Sequence, residues 1–167
     1  MEPRGRSAVS TARKPPRPAL MMPSKTVLHI LVDSREKSIP PFPDGVTWER
    51  RTLEEGDYAT EPLLALARIE RKSSSDFAGT ITRGRERFER ELDRLRSFRH
   101  RLILVEGNMA EQLAFGTVSQ TNPDSILGSI ASFYARWDCP VIFAHDQRGC
   151  GRLIAGILRR LEERYSR

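Results

Sequence analysis

Asp57, Glu70 and Lys72 are the residues of this chain whose types and spacing suit chemistry. In a strand, positions i and i+2 point to the same face, so Glu70 and Lys72 project side by side and Arg71 points to the other face. If the segment ending at Asp57 pairs with the one carrying Glu70 as a hairpin, Asp57 joins them. Two carboxylates on one face can hold a divalent cation, and a lysine beside them can orient water or neutralise a phosphate. The spacing suggests metal-dependent cleavage of a phosphodiester. Asp33, at the end of an apolar run, offers a third ligand, direct or through water, or alternatively a loop cap. Glu36 is a weaker addition. Arg35 and Arg71 carry planar guanidinium groups suited to phosphate; Arg71 has an ion pair with Asp76 as its alternative. Arg83, Arg85 and Arg87 either line a nucleic-acid path or form a solvated face.

These residues need a sheet to position them. Val27–Val32 reads as a buried strand, Val46–Arg51 as a second, and Tyr58–Thr60 and Leu63–Glu70 as the strands bearing the acidic pair. Prolines 40, 41 and 43 with Asp44-Gly45 mark a loop. Ser73 or Ser74 caps a short helix. A longer helix spans Arg85–Phe98, with Phe88, Leu92, Leu95 and Phe98 as one buried stripe. Leu102–Glu106 is a strand and Asn108–Phe115 a helix. Asn122-Pro123 opens a helix running to Trp137. Val141–Ala144 is the last strand, and Arg148–Arg164 a terminal helix with Leu153, Ile157, Leu158 and Leu161 inward. Strands first, then strands alternating with helices, predict an α/β architecture with a mixed central sheet flanked by helices.

Three motifs stand in order: Val32-Asp33-Ser34-Arg35-Glu36, Gly56-Asp57-Tyr58, and Ile69-Glu70-Arg71-Lys72 followed by Asp76. Asp57 with Glu70-x-Lys72 looks like the PD-(D/E)XK nuclease signature. The full set resembles the XPF family of structure-specific nucleases, whose hallmark is Gly-Asp followed by Glu-Arg-Lys-x-x-x-Asp. The resemblance runs from about Val27 to about Arg160. It implies a restriction-endonuclease-like core and an endonuclease acting on branched or flap DNA in repair or recombination. It implies Mg²⁺ or Mn²⁺ as cofactor and a homodimer or heterodimer formed through the nuclease domain. The catalytic set it implies is Asp33, Asp57, Glu70 and Lys72, with Arg35, Arg71, Arg83 and Arg85 toward DNA. The alternative is a non-catalytic DNA-binding or scaffolding subunit, against which the intact Asp57, Glu70 and Lys72 speak. The family's tandem helix-hairpin-helix module is not expected, because the chain ends at Arg167 soon after the last predicted helix. The Gln common in the helix after the motif is also missing from Arg83–Arg99.

The 167 residues suffice for one domain with a sizeable core, assigned to 26–167. Residues 1–25 carry six Lys/Arg against one acid, a net of +5 within a total of +6. This stretch reads as a disordered basic tail that either adds affinity for phosphate backbones or is a plain solvated extension. Cys139 and Cys150 form neither a disulfide framework nor a zinc spacing, which suits a reducing interior, cytoplasmic or nucleoid-associated. No apolar run spans a bilayer and no secretory signal is expected. His29, His100 and His145 are dispersed, and Ser-His-Asp order, Walker A loop and Rossmann fingerprint are absent. Ile126, Leu127, Ile130, Phe133, Tyr134 and Trp137 make one helix apolar on more than one face, enough for a core and an interface together.

Overall fold

The computed structural model describes residues 27–118 and 122–166, with the backbone alone over 115–118. The predicted basic tail lies outside them. Six strands form one mixed sheet: β1 (Leu28–Asp33), β2 (Val46–Arg51), β3 (Tyr58–Ala59), β4 (Ala67–Ser73), β5 (His100–Glu106) and β6 (Val141–Phe143). Their spatial order is β2-β1-β3-β4-β5-β6. β3 is antiparallel to both neighbours, while β1–β2, β4–β5 and β5–β6 are parallel. The consecutive Ile103, Leu104 and Val105 are all fully buried, as strands covered on both faces require.

Five helices cover the sheet: α1 (Ser74–Ile81), α2 (Arg85–Leu95), α3 (Met109–Val118), α4 (Pro123–Trp137) and α5 (Gln147–Tyr165). On one face Phe77 of α1, Phe88, Leu92 and Leu95 of α2, and Phe133 and Trp137 of α4 pack on Ile103 and Val105. On the other, Cys150, Ile154, Ala155 and Leu158 of α5 pack on Leu28, Ile30, Val32, Ile69 and Leu104. Gly151 lets α5 press against the β1–β2 loop, since a Cβ there would lie 2.1 Å from the Pro41 carbonyl oxygen. The caps follow the sequence: Ser73 accepts from the Asp76 N–H, Asn122 from Asp124, and Asp146 from Gly149.

Two element bounds and one helix face differ most from the sequence reading. The strand expected over Leu63–Glu70 starts at Ala67 and runs on to Ser73; Glu61–Leu63 is instead a 3₁₀ turn, favoured by Pro62 and plugged into the core by Leu63. α2 stops at Leu95, and the N–H groups of Arg96, Ser97 and Phe98 tighten the exit by bonding the carbonyls of Leu92, Arg94 and Leu95. On α5 the inward row is Ile154, Ala155 and Leu158, leaving Leu153, Ile157 and Leu161 half-buried at its flank. Among the described residues no helix is long and apolar enough to cross a membrane.

Candidate active site

The β3–β4 hairpin brings Asp57 to Glu70. Tyr58 pairs with Ile69, and the Asp57 N–H donates to the Ile69 carbonyl at 2.9 Å. On its other side the Asp57 carbonyl accepts from the Asp33 N–H at 2.8 Å, so strands pin this residue from both flanks. Its Oδ2 accepts from the Arg71 N–H at 2.7 Å. The chain enters through Gly56 at φ +69, a left-handed conformation that costs glycine little.

Side-chain alternation on β4 then sorts the motif. Glu70 and Lys72 face α2. Lys72 Nζ lies 2.7 Å from Glu70 Oε1, 3.5 Å from Glu91 Oε2 and 4.6 Å from the centre of the Phe88 ring. Arg71 faces α5, with its side chain only 7% exposed between Glu36 at 3.1 Å and Glu106. The expected pair with Asp76 does not form, because Asp76 lies with the α1 cap and accepts from Ser73 Oγ. A phosphate contact by Arg71 would have to displace one of its two carboxylates.

Asp33 sits close by, but its oxygens are taken. They accept from the Arg35 N–H (2.9 Å), Arg35 Nε (2.7 Å), Arg35 Nη2 (3.3 Å) and the Leu53 N–H (2.8 Å). Burial raises its pKa, yet the bonds from Arg35 and Leu53 outweigh burial and hold it below the ordinary value. Asp33 thus clamps the loops around the site, and direct metal ligation would require some of those bonds to break. Arg35 is itself exposed at the rim and also donates to the Leu53 carbonyl. Arg85 bonds Glu89 and, across to α4, Ser129 Oγ. Arg83 lies exposed in the α1–α2 turn. Neither lines the cleft; Arg87 and Arg94 of α2 do.

That cleft has a volume of about 590 Å³, with Asp57, Glu70, Arg71 and Lys72 in its lining and Lys37, Ser38 and Gln147 on the side opposite α2. Its charge is unbalanced at the base. Burial, and then the Glu70 charge, push Asp57 up to about 8. Burial raises Glu70 as well, with Lys72 opposing and Glu91 and Glu36 adding to the rise. Lys72 stays firmly charged: burial works against it, but Glu70 outweighs burial. Buried carboxylates that repel one another are a donor set a divalent cation relieves. Among the described residues no group of three or more His, Cys, Asp or Glu side chains is gathered closely enough to hold a metal. Two carboxylates nonetheless fit Mg²⁺, which keeps several of its waters. Asp57 and Glu70 are the residues that would hold it.

The sequence reading missed Glu91, Arg94, Glu106 and Gln147. For α2 a signal existed: Arg87, Glu91 and Arg94 recur at spacings of four and three beside the buried stripe, which puts them on one flank of the helix. Glu106 and Gln147 carried no local signal.

The ERCC4 domain matches residues 32–157, three quarters of the sequence and all of the residues just described. The sequence has no match among curated proteins. Among solved structures, XPF from Aeropyrum pernix superposes with a TM-score of 0.66 at 26% identity, over 83% of this chain and 67% of that one. The same protein in complex with DNA gives 0.61 at 25% identity, over 82% and 66%. The chain thus spans about two thirds of the length of those XPF chains. With motif order, sheet topology and domain match in agreement, this chain belongs to the ERCC4 domain family, with an XPF-type nuclease fold.

Proposed function

We propose that this chain is a DNA endonuclease that hydrolyses phosphodiester bonds with Mg²⁺ or Mn²⁺, on branched or flap DNA. The observation that carries the reading is the buried, mutually repelling pair Asp57 and Glu70, with the Lys72 ammonium on Glu70, at the base of an arginine-rimmed cleft. A bound cation would supply positive charge at the scissile phosphate. Lys72 donates toward the phosphate or the attacking water, where charge builds in the transition state. The water oxygen bonds to phosphorus and gives up a proton to solvent, the bond to the leaving oxygen breaks, and that oxygen takes up a proton from solvent. Arg35, Arg87 and Arg94 at the rim suit the flanking backbone phosphates. The solved XPF–DNA complex supports DNA as ligand. Action on DNA would place the chain at the nucleoid in a reducing interior, where the free, buried Cys139 and Cys150 are at home.

The deciding experiment incubates the protein with labelled flap, splayed, nicked and linear DNA, with Mg²⁺, Mn²⁺ or EDTA. Cleavage that needs the metal and disappears in Asp57→Asn and Glu70→Gln is expected. Equal cleavage in EDTA would overturn the metal, and equal cleavage of linear DNA would overturn the branched substrate.

We also propose that two copies pair. Two apolar faces are open: Leu127 (44% exposed) and Tyr134 (62%) on α4, and the half-buried Leu153, Ile157 and Leu161 along α5. The α5 face is the better candidate. It borders a concavity of about 490 Å³, and Ile142 of the edge strand β6 belongs to the same apolar cluster.

A further inference from the structure

Arg68 lies on β4 two residues before Glu70, on the same face, and is only 5% exposed. Its guanidinium forms no ion pair among the described residues; burial lowers its pKa and outweighs the charge of Glu54, which acts on it from beyond contact. Nε donates to the Glu55 carbonyl at 2.9 Å and Nη1 to the Ala67 carbonyl at 2.8 Å, and the group lies 4.2 Å over the Phe98 ring. Burying a cation without a carboxylate is unfavourable, and carbonyl oxygens with an aromatic face offset only part of it. Stability does not account for this residue, since an apolar side chain would fill the space beside Phe98 at lower cost.

What the guanidinium supplies is a hold on the turn that delivers Asp57. It fixes the Glu55 carbonyl, while the Arg68 Cβ and Cδ lie 3.3 Å from where a Cβ on Gly56 would stand. The same turn is held at Leu53 by Asp33 and Arg35, and at the Glu55 carboxylate by Arg94. Of these three holds on the turn, that of Arg68 lies nearest Asp57, and it acts on the peptide joining Glu55 to Gly56.

We propose that Arg68 is a positioning residue for Asp57: it fixes the Glu55–Gly56 peptide so that the Asp57 carboxylate meets Glu70 at a spacing that holds one cation. This rests on reading Asp57 and Glu70 as cation ligands. Arg68 touches neither substrate nor reacting atoms, and none of the chain's three motifs includes it.

Arg68→Met keeps the length of the stem and removes the charge and the donors. Mn²⁺ affinity of the full chain without DNA, read by electron paramagnetic resonance, should fall about tenfold, as for lost supports of metal ligands. Amide hydrogen exchange over residues 54–57 should accelerate, while the thermal midpoint in EDTA holds or rises. Arg68→Lys keeps the charge but not the Nε donor; it should lose affinity likewise, and it carries the test if the Met variant aggregates. A lowered midpoint with exchange faster throughout β4 and α2, and no affinity loss beyond the unfolded fraction, overturns the proposal. So does unchanged Mn²⁺ affinity in Arg68→Met when Asp57→Asn abolishes binding. If the wild type shows no Mn²⁺ site sensitive to Asp57→Asn, the ligand reading fails, and the exchange rates at 54–57 then decide alone, unaltered rates overturning the anchoring role.

Discussion

At the scale of single residues, the acidic pair makes the site expensive to fold when no cation is present. Asp57 is held near 8 in the folded chain and titrates near 3.9 when unfolded. Between those values the folded state keeps a proton that the unfolded state has lost, so this group's contribution to stability falls as pH rises. In EDTA, Asp57→Asn should melt several degrees above the wild type at pH 8, with the gain disappearing near pH 4. Saturating Mg²⁺ should raise the wild type and leave the variant unmoved. A variant less stable at pH 8 would contradict the assigned repulsion. Lys72 makes a second prediction. Lys72→Ala should reduce the cleavage rate by about 100-fold or more while DNA binding changes little, since its donation is spent on the transition state. Lys72→Arg should keep binding without restoring the rate, because the planar fork cannot occupy the narrow space between Glu70, Glu91 and the Phe88 ring. Full cleavage by either variant would remove Lys72 from the mechanism.

At the scale of elements, local signals were legible and long-range ones were not. The caps at Ser73 and Asn122, the bounds of β2 and the stripe of α2 follow from neighbours in sequence. The run Leu63–Leu66 has strand-like composition, yet Pro62 sets a 3₁₀ turn over Glu61–Leu63 and Leu63 is buried, so the chain turns there before β4 begins. On α5 the rows 154/158 and 153/157/161 are both apolar, and only the sheet decides which turns inward. The meeting of Asp57, Glu70 and Lys72 was readable because β4 alternation places Glu70 beside Lys72 and a hairpin adds Asp57. Arg71 was not, since each of its carboxylate partners stands 35 positions away. The close approach of α5 to the β1–β2 loop is testable. Gly151→Ala must push the Pro41 backbone aside, and should lower the free energy of unfolding in urea by about 1–3 kcal/mol. An unchanged midpoint and slope would show that the loop gives way freely.

At the scale of the whole molecule, one helix covers a face that four helices cover on the other side, and α5 leaves its flank toward β6 partly bare. A two-fold pairing through that flank would cover it in both copies. Analytical ultracentrifugation should give the mass of two chains for the wild type and of one for Ile157→Glu, while Tyr134→Glu stays paired. The opposite pattern would move the interface to α4, and a single chain throughout would remove the pairing.

The Glu36–Arg71–Glu106 ion pairs join the loop after β1 to the ends of β4 and β5, on the side of the sheet away from Lys72. Desolvating such groups becomes less unfavourable on warming, while apolar burial gains little more. Heat should therefore loosen the outer helices before it loosens these three strand ends. Amide exchange followed against temperature would show residues 70–72 and 104–106 protected after α3 has opened. Warmth short of unfolding would then cost the chain its borders first, with Asp57, Glu70 and Lys72 still in register; under the proposed function, discrimination between DNA shapes would fade earlier than the capacity to cut.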